Sequence, residues 1–225
     1  MFNPYAITQA ERKKRLKYRC KHRHDGISHP ECFNKHHGLE EKVGFLDIEA
    51  THLKAPWGIV LTYCIKELDG GLISRAVTRK ELYQEKYDRE LLKDLIQDVQ
   101  KFKRVVVQYG SDRKFDLPFL RSRSVRWGLK FPVYKRLFVT DTHTILKNKF
   151  CLHRNSQEVA CDFFKIPAKQ HRLKPDIWVR MLSGNPKSIQ KTLDYVLQHN
   201  KEDVISLEKL YKKISPYAPS SKTSI

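Results

Sequence analysis

The sequence predicts an α/β domain, a mixed β-sheet flanked by helices, preceded by a small module rich in cysteine and histidine. Three observations predict it. Short apolar runs with strand character stand at 43–50, 58–68 and 104–109. Longer stretches with apolar residues at helical spacing lie between and after them. The segment CKHRHDGISHPEC, residues 20–32, precedes the first strand and concentrates metal-ligating side chains.

In chain order, residues 11–23 carry eight cations and one acid, which reads as a basic arm, helical at its start. VGFLDIEA at 43–50 is a buried strand, GIVLTYCIKEL at 58–68 a second, and Gly70-Gly71 turns the chain into a third at 72–78. Between 88 and 102, Leu91, Leu92, Leu95, Ile96, Val99 and Phe102 form the apolar stripe of an amphipathic helix. RVVVQY at 104–109 is a core strand, 115–127 a helix and 137–140 a short strand. Helices follow at about 156–164, 176–182 and 186–211, the last with a possible interruption near Asn200. The Ser/Lys-rich end after Pro216 reads as disordered. The expected organisation is thus a basic arm and zinc module at 1–42, an α/β domain at 43–214 and a tail at 215–225.

The chain has 225 residues and a formal charge of +19, from 44 Lys and Arg against 25 Asp and Glu. Such an excess favours a polyanionic partner, because each cation near a phosphate releases a condensed counterion. Nucleic acid fits better than an anionic membrane surface, and no apolar run approaches the ~20 residues that a bilayer span requires. Residues 1–10 lack the apolar segment of a secretory signal, and the five cysteines are odd in number and mostly scattered. An intracellular, reducing location is expected, cytoplasmic or beside the genome.

Asp47 and Glu49 sit two apart on a strand, so both carboxylates face one way. Like charges this close repel unless a cation lies between them. Asp116 opens the helix after RVVVQY, with Asp112 in the preceding turn as a competitor. His199 and Asp203, four apart on a helix, share a face beside the stripe of Val196, Val204, Leu207 and Leu210. Each pattern alone is common. Together they supply oxygen ligands from separate elements, as hard divalent ions demand, and a histidine to take a proton.

Three segments, FLDIEATHL, VQYGSDRKFDLPFLRSR and HNKEDVISLEKLY, resemble in order and spacing the motifs of the DEDD superfamily of 3′→5′ exonucleases, on a ribonuclease H-like fold. The resemblance covers about 43–211. It implies that Asp47, Glu49, Asp116 and Asp203 hold two Mg²⁺ or Mn²⁺, that His199 acts as base, and that Leu53 wedges beside the terminal base. His-type members place histidine five residues before the last aspartate, and Tyr-type members place tyrosine four before. Here His199 stands four before and Tyr195 lies further back, as in a group of predicted exonucleases that the sequence resembles. RNSQEVACDFFKI, residues 154–166, resembles a helix between the second and third motifs in that group, and the resemblance implies a place along the substrate groove. The implied activity is metal-dependent hydrolysis from a 3′ end, with single-stranded DNA set slightly ahead of RNA. The alternatives are a nucleic-acid-binding protein without catalysis and a structure-specific endonuclease on the same fold.

The N-terminal cluster offers Cys20, His22, His24, His29 and Cys32 as ligands for one structural Zn²⁺. Cys20, His22, His29 and Cys32 are the preferred set, with His24 as substitute for His22 and His36 and His37 in reserve. The competing reading is a histidine-rich basic tail with free thiols. A module this short has little core, so metal would supply its folding energy. Trp57, Phe119 and Trp178 are candidates for base stacking, although buried aromatics are the commoner case.

Overall fold

The computed structural model describes residues 8–38, 41–111, 114–167, 169–174, 176–177, 180 and 185–218. The chain divides into two compact units, Met1–Glu41 and Lys42–Ile225.

In the first unit α1 (Gln9–Lys17) is opened by the Thr8 hydroxyl, which accepts from the Glu11 amide, and α2 (Pro30–His36) begins on a proline. Among the unit's described residues the core centres on one large side chain. Phe33 is fully buried, with the Arg15 guanidinium 4.3 Å from its ring centroid and Tyr18 edge-on at 5.3 Å. Arg15 is itself buried and spends its donors on Glu11, Gly26 O and Asn34.

The second unit is built on β1 (Val43–Ala50), β2 (Val60–Glu67), β3 (Leu72–Ala76), β4 (Arg104–Val107) and β5 (Phe138–Asp141), in sheet order β3-β2-β1-β4-β5. β2 runs antiparallel to β1 and β3, while β4 lies parallel to β1 and β5 parallel to β4. Central β1 is covered on both faces, which explains its continuous apolar character. Leu46 and Ile48 face the layer of α4 (Arg89–Val99) and α5 (Asp116–Arg126), among Leu91, Leu95, Leu117 and Leu120. Val43 and Phe45 face the long α8 (Pro186–Ile214) through Val204 and Leu207. A third cluster joins α6 (Thr142–Lys149) and α7 (Gln157–Phe163) to the end of α8 through Leu146, Cys161 and Leu210.

Outside residues 176–182 the expected elements are present, with differences that have local causes. α8 runs unbroken through Asn200, because that side chain faces inward and finds a partner there. A short α3 (Arg79–Tyr83) carries a capping box between Thr78 and Glu81, and α6 is capped by Asp141; neither helix is expected from periodicity. The helix expected at 176–182 and Trp178 lie largely outside the described residues. At 215–217 the chain forms a 3₁₀ turn rather than a disordered end, with Tyr217 edge-on to Phe150; residues 219–225 lie outside the described residues. No described helix is long and apolar enough to cross a membrane.

One buried ion pair ties the helical layer to the sheet. Asp88 is fully buried and accepts from Arg123 Nε and Nη2 at 2.8 and 2.6 Å, Trp127 Nε1 at 2.8 Å and the Val60 amide at 2.9 Å. Removing one partner of such a pair strands the other charge, so Arg123→Met is expected to cost about 3–5 kcal/mol. Equilibrium urea denaturation measures it. Adding Asp88→Asn to that variant is expected to recover part of the loss.

Candidate functional site

Parallel β1, β4 and β5 bring their carboxyl ends to one edge, where open α/β sheets bind ligands. Asp47 and Glu49 leave β1 on the α8 side. The register shift between Glu49 and Ala50 ends regular pairing there, beside the exposed loop that carries Leu53 and Trp57.

Asp116 opens α5 and is buried. Its approach depends on Gly110, since a Cβ at that position would lie 2.0 Å from Asp116 Oδ2. The preceding Tyr109 takes a left-handed backbone, φ 59°, to turn the chain off β4. That turn is held by Asp141, which accepts from the Tyr109 amide, the Ser111 amide and hydroxyl, Lys114 Nζ and the His143 amide, at 2.7 to 3.2 Å. Burial acts to raise the Asp141 pKa, yet these donors hold it below the ordinary value.

α8 contributes three side chains. His199 Nε2 lies 2.9 Å from Asp203 Oδ2 and 3.5 Å from Glu49 Oε1. Its Nδ1 donates to the His171 carbonyl, which assigns the Nδ1–H tautomer to the neutral ring and leaves Nε2 as the basic nitrogen. Burial lowers the His199 pKa, which keeps the ring neutral near pH 7. Asn200 is fully buried and donates to Asp47 Oδ2 at 2.5 Å. Lys169, from the segment between α7 and α8, pairs with Asp203 and also attracts Asp47 and Glu49.

One oxygen or nitrogen each from Glu49, His199 and Asp203 lies within 4.8 Å of the others. Asp47 and Asp116 fall outside that tightest group but are coupled to it electrostatically. Burial raises Asp47 to about 6, against the pull of Lys169 and Asn200. Glu49 rises to about 8 through burial and repulsion by Asp47. Asp116 is raised well above the carboxylate range by burial, then by Asp47, Glu49 and Asp141. The site thus has more carboxylates than its one ammonium, that of Lys169. Its donors are carboxylate oxygens, and the Asn200 Oδ1 is buried with no hydrogen-bond partner among the described residues. This set fits divalent cations of the Mg²⁺ class.

Sequence reasoning named Asp47, Glu49, Asp116, His199 and Asp203, of which Glu49, His199 and Asp203 meet and Asp47 and Asp116 interact electrostatically with Glu49. It missed Asn200, Lys169 and Asp141. Asn200 had a signal, a polar residue on the inner face of α8 three positions before Asp203.

In the N-terminal unit, Cys20, His22, His29 and Cys32 present ligand atoms within 4.8 Å of one another. The Sγ to Nδ1 separations are 3.9 Å for Cys20–His22, 3.7 Å for Cys20–His29 and 3.6 Å for Cys32–His29. A tetrahedral zinc site with ordinary bond lengths has S···N edges of about 3.6 Å, so the set fits that ion. His24 falls outside the four, its ring centroid 4.4 Å from that of His29. Leu53 and Trp57 are exposed, whereas Phe119 is buried in the core and unavailable for stacking.

A family model, RNase_H_2 of the RNase_H superfamily, matches residues 44–215. The chain belongs to the RNase_H superfamily. Its second unit is an RNase H-like, nuclease-type domain. A family B DNA polymerase from the hyperthermophilic archaeon Pyrobaculum calidifontis is similar in structure, with a TM-score of 0.61 and 16% identity over 79% of this chain. The match spans only 25% of the polymerase chain, and at that identity it speaks to fold. No curated protein sequence matches. The Cys/His unit lies outside the residues that the family model covers.

The raised acids give the RNase H-like domain a defined pH response. An acid whose folded pKa exceeds its unfolded one stabilises the fold while protonated, and that contribution is lost as pH rises through the folded value. His199, shifted down, works in the opposite sense only below its ordinary 6.5. Without added divalent ions, the melting temperature is therefore expected to fall between pH 6.5 and 8, as Glu49 ionises. Saturating Mn²⁺ is expected to flatten the slope in thermal melts.

Proposed function

We propose that the RNase H-like domain is a metal-dependent 3′→5′ exonuclease, with Asp47, Glu49, Asp116 and Asp203 as ligands for two Mg²⁺ or Mn²⁺. The observation that carries this reading is the meeting of the β1 and α8 carboxylates Glu49 and Asp203 at one histidine, with Asp47 and Asp116 near enough to Glu49 to act on it or be acted on by it electrostatically. When bound, such ions favour attack of water on a phosphodiester and stabilise the departing 3′ oxygen. His199, its Nδ1 committed to the His171 carbonyl, offers Nε2 to take the proton of the attacking water. Asn200 orients Asp47, and Asp141 fixes the turn that presents Asp116. Exposed Leu53, four residues beyond Glu49, is placed to wedge against a terminal base. The net charge of +19 supports a nucleic-acid substrate, single-stranded DNA ahead of RNA. We further assign a structural Zn²⁺ to Cys20, His22, His29 and Cys32.

The test is a panel of DNA and RNA strands, single and double, each labelled at one end, incubated with Mn²⁺. A 5′-labelled strand is expected to shorten through a ladder, while a 3′ label leaves as a mononucleotide. Opening of a circular single strand would instead establish an endonuclease. Binding without any cleavage would leave a nucleic-acid-binding domain.

A further inference from the structure

The site contains a cation of its own. Lys169 Nζ pairs with Asp203 and is attracted by both Asp47 and Glu49, so its ammonium stands among carboxylates contributed by β1 and α8. Its position is built, not incidental. The Gln170 and His171 amides both donate to Glu202, at 2.9 and 3.0 Å, and His171 Nδ1 meets the same carboxylate at 2.6 Å. Tyr195 Oη donates to the Arg172 carbonyl at 2.9 Å, and His199 Nδ1 donates to that of His171. Tyr195, His199 and Glu202 follow one stripe of α8, so a single helix face straps down residues 170–172 and delivers Lys169 to the acids.

We propose that Lys169 is an internal counter-ion of the carboxylate site, which divalent metal must displace. The inference rests on the metal-binding reading above. Charge balance motivates it. With all four acids ionised, one ammonium leaves three negative charges, whereas two divalent cations neutralise all four and make Lys169 surplus. A cation held beside two divalent ions in a partly buried site is repelled by both. The side chain has somewhere to go: a cavity of ≈ 1030 Å³ is lined by Lys169, His199, Arg172, Leu152, Phe163 and Ile166. Withdrawn toward that space, the ammonium is available to an anion such as a substrate phosphate.

The experiment is a calorimetric titration of Mn²⁺ into the full chain without substrate, paired with melting curves before and after addition. Lys169→Met is expected to bind Mn²⁺ about tenfold more tightly than wild type and to melt lower when metal-free. Lys169→Arg keeps the charge and is expected to stay within about twofold of wild type in both readings. A Lys169→Met chain that is unfolded alone and folds on adding Mn²⁺ supports the proposal equally. Unchanged Mn²⁺ affinity in Lys169→Met, with wild type binding normally, overturns the counter-ion role and leaves the nuclease reading intact. Failure of wild type to bind Mn²⁺ overturns both.

Discussion

Asp47→Asn is expected to abolish divalent-dependent degradation of labelled single strands, with a loss on the order of 10³-fold or more. The substitution preserves shape and removes charge. Asp47 is flanked by β1 neighbours buried against both helical layers, so the fold has no reason to move, and circular dichroism should match wild type. What changes is the ability of the site to hold a cation. Asp203→Asn is expected to match it, since Asp203 both pairs with Lys169 and faces His199 Nε2. Asp194→Asn, on the exposed side of the same α8 and bonded to Gln190, is the control and should digest normally. Undiminished digestion by both Asp47→Asn and Asp203→Asn would remove the exonuclease assignment.

The second large effect concerns the N-terminal unit. Purified protein is expected to carry about one zinc per chain, and Cys32→Ser to lose it together with the fold of residues 8–38. The reason is size. Among the unit's described residues Phe33 is the one fully buried large side chain, and one such residue contributes only about 1.5–3 kcal/mol by burial. Zinc binding in comparable short modules contributes ≈ 10–16 kcal/mol, which is therefore folding energy. Hydrogen exchange followed by mass spectrometry should show protection lost across α1 and α2 and retained in β1, β4 and α8. A zinc-free chain with normal protection in α1 would overturn the assignment.

The sheet and its main helices were legible because their burial writes a period into the sequence. β1 is apolar from Val43 to Leu46 and β4 from Val105 to Val107, α4 has a stripe, and Asp47 and Glu49 interrupt β1 at the strand period. Asp116 and the pair His199–Asp203 were legible by the same geometry. Lys169 and Asp141 were not. Each acts through a loop, where no period links a residue to what it touches, and Asp141 spends its carboxylate on donors in a turn distant in sequence. The capping box of α3 was present as Thr78 and Glu81, yet five residues are too few to show a stripe.

His199, Asn200 and Asp203 ride on one uninterrupted helix, and this fixes more than their spacing. Each residue added to α8 ahead of Val196 turns everything beyond it by about 100°. One inserted residue would swing His199, the Asp47 partner Asn200 and Asp203 away together, while leaving the helix itself intact. The part of α8 that faces β1 and β2 therefore has a rotational phase as well as a length. Loops such as the one at 128–136 are free to vary in length, but α8 admits change only in steps close to whole turns.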